Sequence, residues 1–275
     1  MLRSIRDLEK YSIHAADGDI GHVKDFYFDD STWVIRYLIV DTSAWLPNRK
    51  VLISPISMGR PDWAEKILPV KITKEQVKDS PDIDTSKPVS RQHEMGYLGY
   101  YGYPYYWGGA GLWGESAYPY GMLKGHGDVN SDGLYGGLNA EDGRTLSGSD
   151  KDAHNDPHLR SCKEVVGYHI DATDGDIGHI HDLLVDERTW AIRYVVVDTN
   201  NWLGEHQVLI VPQWIRGVSW SDHMLSVNLS RKQVKGAPLY DSTAQLDREQ
   251  EESIYRHYGR KGYWNTMPKH QPRSP

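Results

Sequence analysis

Cysteine is all but missing from this chain, with one, Cys162, in 275 residues. A lone thiol closes no internal disulfide and offers no second Cys to a zinc ion. Long apolar runs are missing too. No stretch of 18 or more apolar residues occurs, so no transmembrane helix is expected. Met1–Arg6 has no apolar h-region, so no secretory signal is expected either. Positive charge is in deficit: 31 Lys and Arg face 38 Asp and Glu, a formal charge of -7. That balance argues against a nucleic-acid binder, which carries basic patches. Nor is there a nucleophile elbow, a Walker loop, a dinucleotide fingerprint or a zinc spacing. His22, His179 and the other histidines form no readable triad. The expectation is a soluble, cytoplasmic, non-enzymatic protein without a cofactor, with peripheral membrane association as the alternative location.

What the chain does hold is a second copy of itself. Asp17-Gly18-Asp19-Ile20-Gly21-His22 returns as Asp174-Gly175-Asp176-Ile177-Gly178-His179. Thr32-Trp33 returns as Thr189-Trp190, and Val51-Leu52-Ile53 as Val208-Leu209-Ile210. A constant offset of 157 residues relates every pair, from Leu2-Arg3-Ser4 to Gln76-Val77-Lys78. The register survives into a diverged tail, where Arg91 meets Arg248, Glu94 meets Glu251, and Tyr106-Trp107 meets Tyr263-Trp264. In the same register Cys162 takes the place of Ile5, which makes it a small buried hydrophobe rather than a reactive thiol. The period is too long for a solenoid, whose units run about 20–50 residues. It fits two tandem domains: residues 2–107 and 158–264. Between them, 108–157 is rich in Gly, Ser, Asp and Asn and reads as a flexible linker. Residues 265–275 read as a disordered terminus.

Within each repeat, Val23–Phe28 (Ile180–Val185) and Trp33–Val40 (Trp190–Val197) read as a hairpin across the polar turn Asp29–Thr32. The second of these strands is apolar on both faces, which suits a central or barrel position. Further strands are expected at Lys50–Ser54 and Gln207–Val211, and around Trp63, Leu68–Ile72, Trp220 and Leu225–Leu229. Thr73 to Gln76 and Ser230 to Gln233 have the capping-box spacing of a helix start. Asp247–Tyr258 reads as a helix, and Ser90–Tyr101 as a weaker one interrupted by Gly96 and Gly99. The fold class is all-β with short helices: two tandem small β-barrels, each followed by a short helical tail.

Four features invite a functional reading. The repeated Asp-Gly-Asp-Ile-Gly-His motif carries carboxylates and a His, but Asp-Gly is turn chemistry and the second Gly suits a bulge or close backbone approach. Arg36 and Arg193 lie mid-strand among apolar neighbours and need buried partners. The candidates are Asp25 or Asp41 for Arg36, and Asp182 or Asp198 for Arg193. Trp45-Leu46 and Trp202-Leu203 sit in a loop, where such a pair either folds over the barrel mouth or anchors a partner. Asp128, Asn130 and Asp132 match the first half of a calcium loop, but its twelfth position is Asn139 rather than Glu. A Gly-rich turn is the preferred reading there, and no metal is expected.

Gly18-Asp19-Ile20-Gly21-His22-Val23-Lys24-Asp25 followed by Trp33-Val34-Ile35-Arg36-Tyr37-Leu38-Ile39-Val40-Asp41-Thr42 resembles the PRC-barrel domain, and so does Gly175–Asp182 with Trp190–Thr199. The resemblance covers roughly 80 residues in each repeat. It implies small β-barrels that act mostly as interaction modules, as in the H subunit of photosynthetic reaction centres and in a ribosome-maturation factor. The expected function is a non-catalytic protein-interaction module that self-associates or docks on a partner complex. Its two barrels either pack together or hold two equivalent partner sites. The alternatives are a peripheral accessory of a photosynthetic reaction centre or electron-transfer complex, and a ribosome- or RNA-associated factor.

Overall fold

A computed structural model describes residues 1–47, 49–81, 89–123, 158–199 and 206–265. Repeat one supplies β1 (Leu2–Ser4), α1 (Ile5–Leu8), β2 (Ser12–Ala15), β3 (Gly18–Asp29), β4 (Val34–Asp41), β5 (Lys50–Ile53), β6 (Ile67–Pro69), α2 (Lys74–Asp79) and α3 (Arg91–Tyr101). Repeat two supplies β7 (Leu159–Ser161), α4 (Cys162–Val165), β8 (His169–Ala172), β9 (Gly175–Asp186), β10 (Ile192–Asp198) and β11 (Gln207–Ile210). It continues with β12 (Ile215–Ser219), β13 (Met224–Val227), α5 (Arg231–Lys235) and α6 (Arg248–His257). The architecture is strand-dominated, in two sheets with short helices, as the sequence pattern predicts. Among the described strands neither order closes into a ring. Among the described residues no helix is long and apolar enough to cross a membrane.

The chain divides into two compact units, and their boundaries do not follow the repeats. Unit one comprises Met1, Arg3–Val165 and Val185–Ile192; unit two comprises Leu2, Val166–Leu184 and Arg193–Pro275. The compact units thus cut across the repeats expected at 2–107 and 158–264.

In unit one the strand order is β5-β4-β3-β2-β6. The twelve-residue β3 is long enough to serve two partners along one edge. Its first part pairs with β2 (Ile13 opposite Gly21), and its last part pairs antiparallel with β7 (Tyr27 opposite Ser161, Asp29 opposite Leu159). Along the other edge it pairs with β4, with bulges between Val23 and Asp25 and between Tyr27 and Phe28. Val34–Val40 is buried throughout, so apolar matter covers both faces of β4. Repeat two also lends unit one its hairpin corner. Ile35 N donates to Trp190 O and Ile192 N to Trp33 O, both at 2.8 Å, around a bridge between Val34 and Ala191. These are offset-equivalent residues, so the pairing is reciprocal.

The corner corrects one expectation. Trp33 and Trp190 do not begin their strands: they sit at φ 55° and 59°, in the left-handed region, and end the turn. Trp33 N donates to Asp29 O at 2.8 Å, while Asp29 Oδ1 accepts from Ser31 N and Thr32 N. The side-chain hydrogen bonds make up for the local backbone cost.

In unit two the order is β11-β10-β9-β8-β13-β12, with Val196 opposite Leu209 and β8 parallel to β13. Both expected capping boxes form, at Thr73–Gln76 and Ser230–Gln233, and Asp247–Gln250 adds a third before α6. Gly96 and Gly99 do not interrupt α3, which is capped by Ser90 and stopped by Gly102 at φ 67°. Cys162 is fully buried, as is Ile5.

A second correction concerns the linker. Its first part, 108–123, is packed: Trp113 is 1% exposed and its indole N–H donates to Thr189 O at 2.8 Å. The expected linker beyond 123 and the expected loose terminus beyond 265 lie outside the described residues.

Candidate functional site

Arg36 is the most buried cation among the described residues of unit one, at 2% exposure. Its partner is neither Asp25 nor Asp41 but Asp29, whose Oδ2 lies 3.8 Å from Nη2. The same nitrogen donates to the Thr32 hydroxyl, and Nη1 donates to Leu112 O at 2.7 Å. The guanidinium lies 3.9 Å from the Tyr106 ring centroid and 4.7 Å from that of Trp113. Burial opposes the charge on Asp29, but the Ser31 hydroxyl and then the Arg36 guanidinium outweigh it and hold the carboxyl below its ordinary value. Around this pair lies a second ionic group. Glu94 from α3 is buried and accepts from the Tyr106 hydroxyl. Arg91 stands 3.2 Å from Glu94, and His158 Nε2 stands 2.7 Å from it. The Arg91 guanidinium covers Trp107 at 4.1 Å. Burial, reinforced by Glu94, drives the Tyr106 hydroxyl well above its usual pKa, so it stays a donor.

Unit two builds the same box from the offset residues. Arg248 stands 3.0 Å from Glu251, which accepts from Tyr263 at 2.9 Å and Tyr194 at 3.0 Å. Arg193 covers the Tyr263 ring at 4.2 Å, and Arg248 covers Trp264 at 4.2 Å. Of the residues expected to pair with Arg193, Asp182 Oδ1 accepts from Leu183 N, and Asp198 lies 4.0 Å from His181. The Arg, Glu, Tyr and Trp of each box are the identities that survive in the diverged tail, so their signal was present in the sequence without a reading attached. Leu112 and Trp113 gave no signal, because they sit within a Gly-rich stretch.

The other predicted residues resolve into structural roles. Asp25 Oδ2 accepts from the Ser161 hydroxyl at 2.6 Å, and Oδ1 accepts from Lys163 N and Phe26 N. Burial still leaves the Asp25 carboxyl above its usual pKa. Asp41 accepts from Ser43 N and lies 3.6 Å from Lys24. In the repeated motif, Asp17 and Asp174 accept from the first backbone N–H of a helix, Lys74 N at 2.8 Å and Arg231 N at 2.7 Å. Asp19 lies 2.9 Å from His14, and Asp176 lies 3.6 Å from His169. A methyl built on Gly21 lands 1.9 Å from the Asp41 carbonyl oxygen, and one on Gly178 lands 2.0 Å from that of Asp198. The motif is thus a turn with a close backbone approach, as the turn reading predicts.

Trp45 folds back on unit one. Its indole N–H donates to Ile20 O at 2.6 Å, and the Lys74 ammonium lies 4.5 Å from its ring centroid. Trp45 and Leu46 are half-buried. Trp202, Leu203 and the calcium-like Asp128, Asn130 and Asp132 lie outside the described residues. Among the described residues no cluster of His, Cys, Asp and Glu could hold a metal ion.

An exposed aromatic surface lies elsewhere, on the tail of repeat one and the stretch 108–123 that follows it. Tyr100, Tyr105 and Tyr120 are each about 40% exposed. Tyr105 stacks on Trp107 at 4.7 Å and 11°, and Tyr118 stacks on Tyr120 at 5.2 Å and 12°. An open cleft of about 600 Å³ runs from Tyr105 and Trp107 to Glu115 and Met122.

The family model described as PRC-barrel domain matches residues 2–77 and 161–240. No curated protein matches the chain.

Proposed function

We propose that this chain, which belongs to the PRC-barrel domain family, is a non-catalytic protein-interaction module. The observation that carries the reading is the aromatic surface of unit one. Tyr100, Tyr105 and Tyr120 remain exposed while most other aromatic side chains of the unit are buried or half-buried. Tyr and Trp are the residues on which protein interfaces concentrate their binding energy. The buried charges of each box are taken up in holding α3 and α6 to their sheets, which supports a scaffold role for them. Trp45 is a weaker anchor than Tyr105, since its N–H and one ring face are already engaged.

The test is capture with the full chain as bait, paired with light scattering on the purified protein. A recovered partner complex or a defined oligomer is expected, reduced by the double variant Tyr105→Ala/Tyr120→Ala. Recovery of neither overturns the reading.

A further inference from the structure

We propose that the cleft beside Tyr105 binds a proline-rich segment in the extended polyproline conformation, with a basic residue next to its prolines. The inference rests on the interaction reading above and names the partner chemistry. Three observations carry it.

The wall of the cleft is preformed. Gly111 N donates to Gly114 O at 2.7 Å, Gly114 N to Tyr106 O at 2.7 Å, and Trp113 pairs with Ser116 beneath. A methyl on Gly109 would overlap the Gly114 carbonyl carbon at 2.2 Å. Glycine is therefore required for the loop to lie this close. The ring that faces it is Tyr105, 40% exposed. Trp107 beneath is held by that stack and by Arg91, 4.1 Å from its centroid.

The polar inventory of the cleft decides between ligand classes. Among the described residues its polar side chains are few, with Glu115 as its charged residue and no Lys or Arg in the lining. A nucleic acid needs cations for its phosphates. A saccharide needs several convergent polar groups for its hydroxyls, and the lining provides few. A polyproline helix has no internal hydrogen bonds and flat apolar rings, so aromatic faces and a few donors suffice to bind it. The carboxylate of Glu115 then favours a Lys or Arg beside the prolines.

Among the described residues, repeat two does not repeat the ring that lines the cleft. Gly262 stands where repeat one has Tyr105, and a methyl there would overlap the Trp264 ring at 2.2 Å.

The test titrates the full chain with a twelve-residue peptide of proline repeats flanked by arginine, read by tryptophan fluorescence and calorimetry. Saturable binding at one peptide per chain is expected, with a Kd below about 1 mM. Tyr105→Ala should weaken it at least about tenfold, as loss of a central aromatic anchor does. Glu115→Lys should invert the preference from the Arg-flanked to a Glu-flanked peptide. Thermal unfolding of each variant, compared with the parent, identifies loss by misfolding, and Leu239→Ala, at an exposed residue of unit two outside the cleft, should bind normally. No saturable binding, binding that survives Tyr105→Ala, or preferential binding of a polyanion or an oligosaccharide each overturns the proposal. Partner capture that persists in Tyr105→Ala while the peptide fails sinks this inference alone. Loss of all capture and self-association sinks the interaction reading with it.

Discussion

Arg36 owes its place to a carboxylate four residues beyond the one its strand pattern suggests. A guanidinium in the middle of β4 has no water to solvate it, so an ion pair, two hydrogen bonds and two ring faces must do so together. Breaking a buried pair by removing one partner typically costs about 3–5 kcal/mol. Asp29→Asn keeps the shape and an acceptor oxygen, so a loss nearer about 3 kcal/mol at pH 7 is expected. The pH dependence gives the discriminating readout. Asp29 titrates below its ordinary value when folded. The folded state therefore binds fewer protons than the unfolded chain between the two pKa values. Its contribution is complete above the unfolded value of about 3.9 and is lost as pH falls through the lower folded value. The gap between parent and Asp29→Asn in chemical denaturation should thus narrow below about pH 4. A gap unchanged with pH would remove the charge pair as its cause. The need of Arg36 for a partner was legible in the sequence. Which carboxylate serves was not, because two bulges shift the β3–β4 register and β7, from the other repeat, occupies Asp25.

Among the elements, β3 shows how a motif that looks like chemistry can be geometry. Gly21 sits at φ 144° against the Asp41 carbonyl, where the strand bends. A side chain there meets both an unfavourable backbone conformation and a backbone atom that cannot swing aside. Gly21→Ala should destabilise unit one by about 3 kcal/mol, the sum of modest strain and overpacking. Gly96 is the contrasting case. It lies inside α3 with open space around its missing Cβ, so Gly96→Ala should stabilise by about 0.5–1 kcal/mol. Thermal melts of the two variants should move in opposite directions, and a shared direction would refute the geometric account. The long strands, the capped helices and the turns were legible because their signals are local: alternation, a capping pair, an Asp-Gly. The three- and four-residue strands β1, β2, β7 and β8 were not, since so short a segment takes its conformation from a partner elsewhere in the chain.

At the scale of the molecule, the duplication fits two tandem domains, and within unit one the two repeats share a sheet. Its sheet is completed by β7, drawn from repeat two. Arg160 stands 2.9 Å from Asp30, Ser161 donates to Asp25 at 2.6 Å, and Lys163 stands 3.0 Å from Glu9. The corner Val185–Ile192 adds the reciprocal bonds at Trp33 and Ile35, and the buried Trp113 reaches Thr189. A repeat cut away from the other loses strand pairing, ion pairs and core at once. The covalent link between residues 123 and 158 is thus not what keeps this unit whole. A protease site engineered between residues 124 and 157 should, once cut, leave two fragments that co-elute in size exclusion at about 1 µM, because the contacts within unit one outweigh the loss of the effective concentration that the tether supplied. They should part only with denaturant. Arg160→Ala combined with Ser161→Ala, which leaves repeat one untouched, should weaken that association by removing two of the polar contacts that seat β7. Fragments that elute separately after cutting, each still folded by circular dichroism, would restore the two-module picture that the repeat alone suggests.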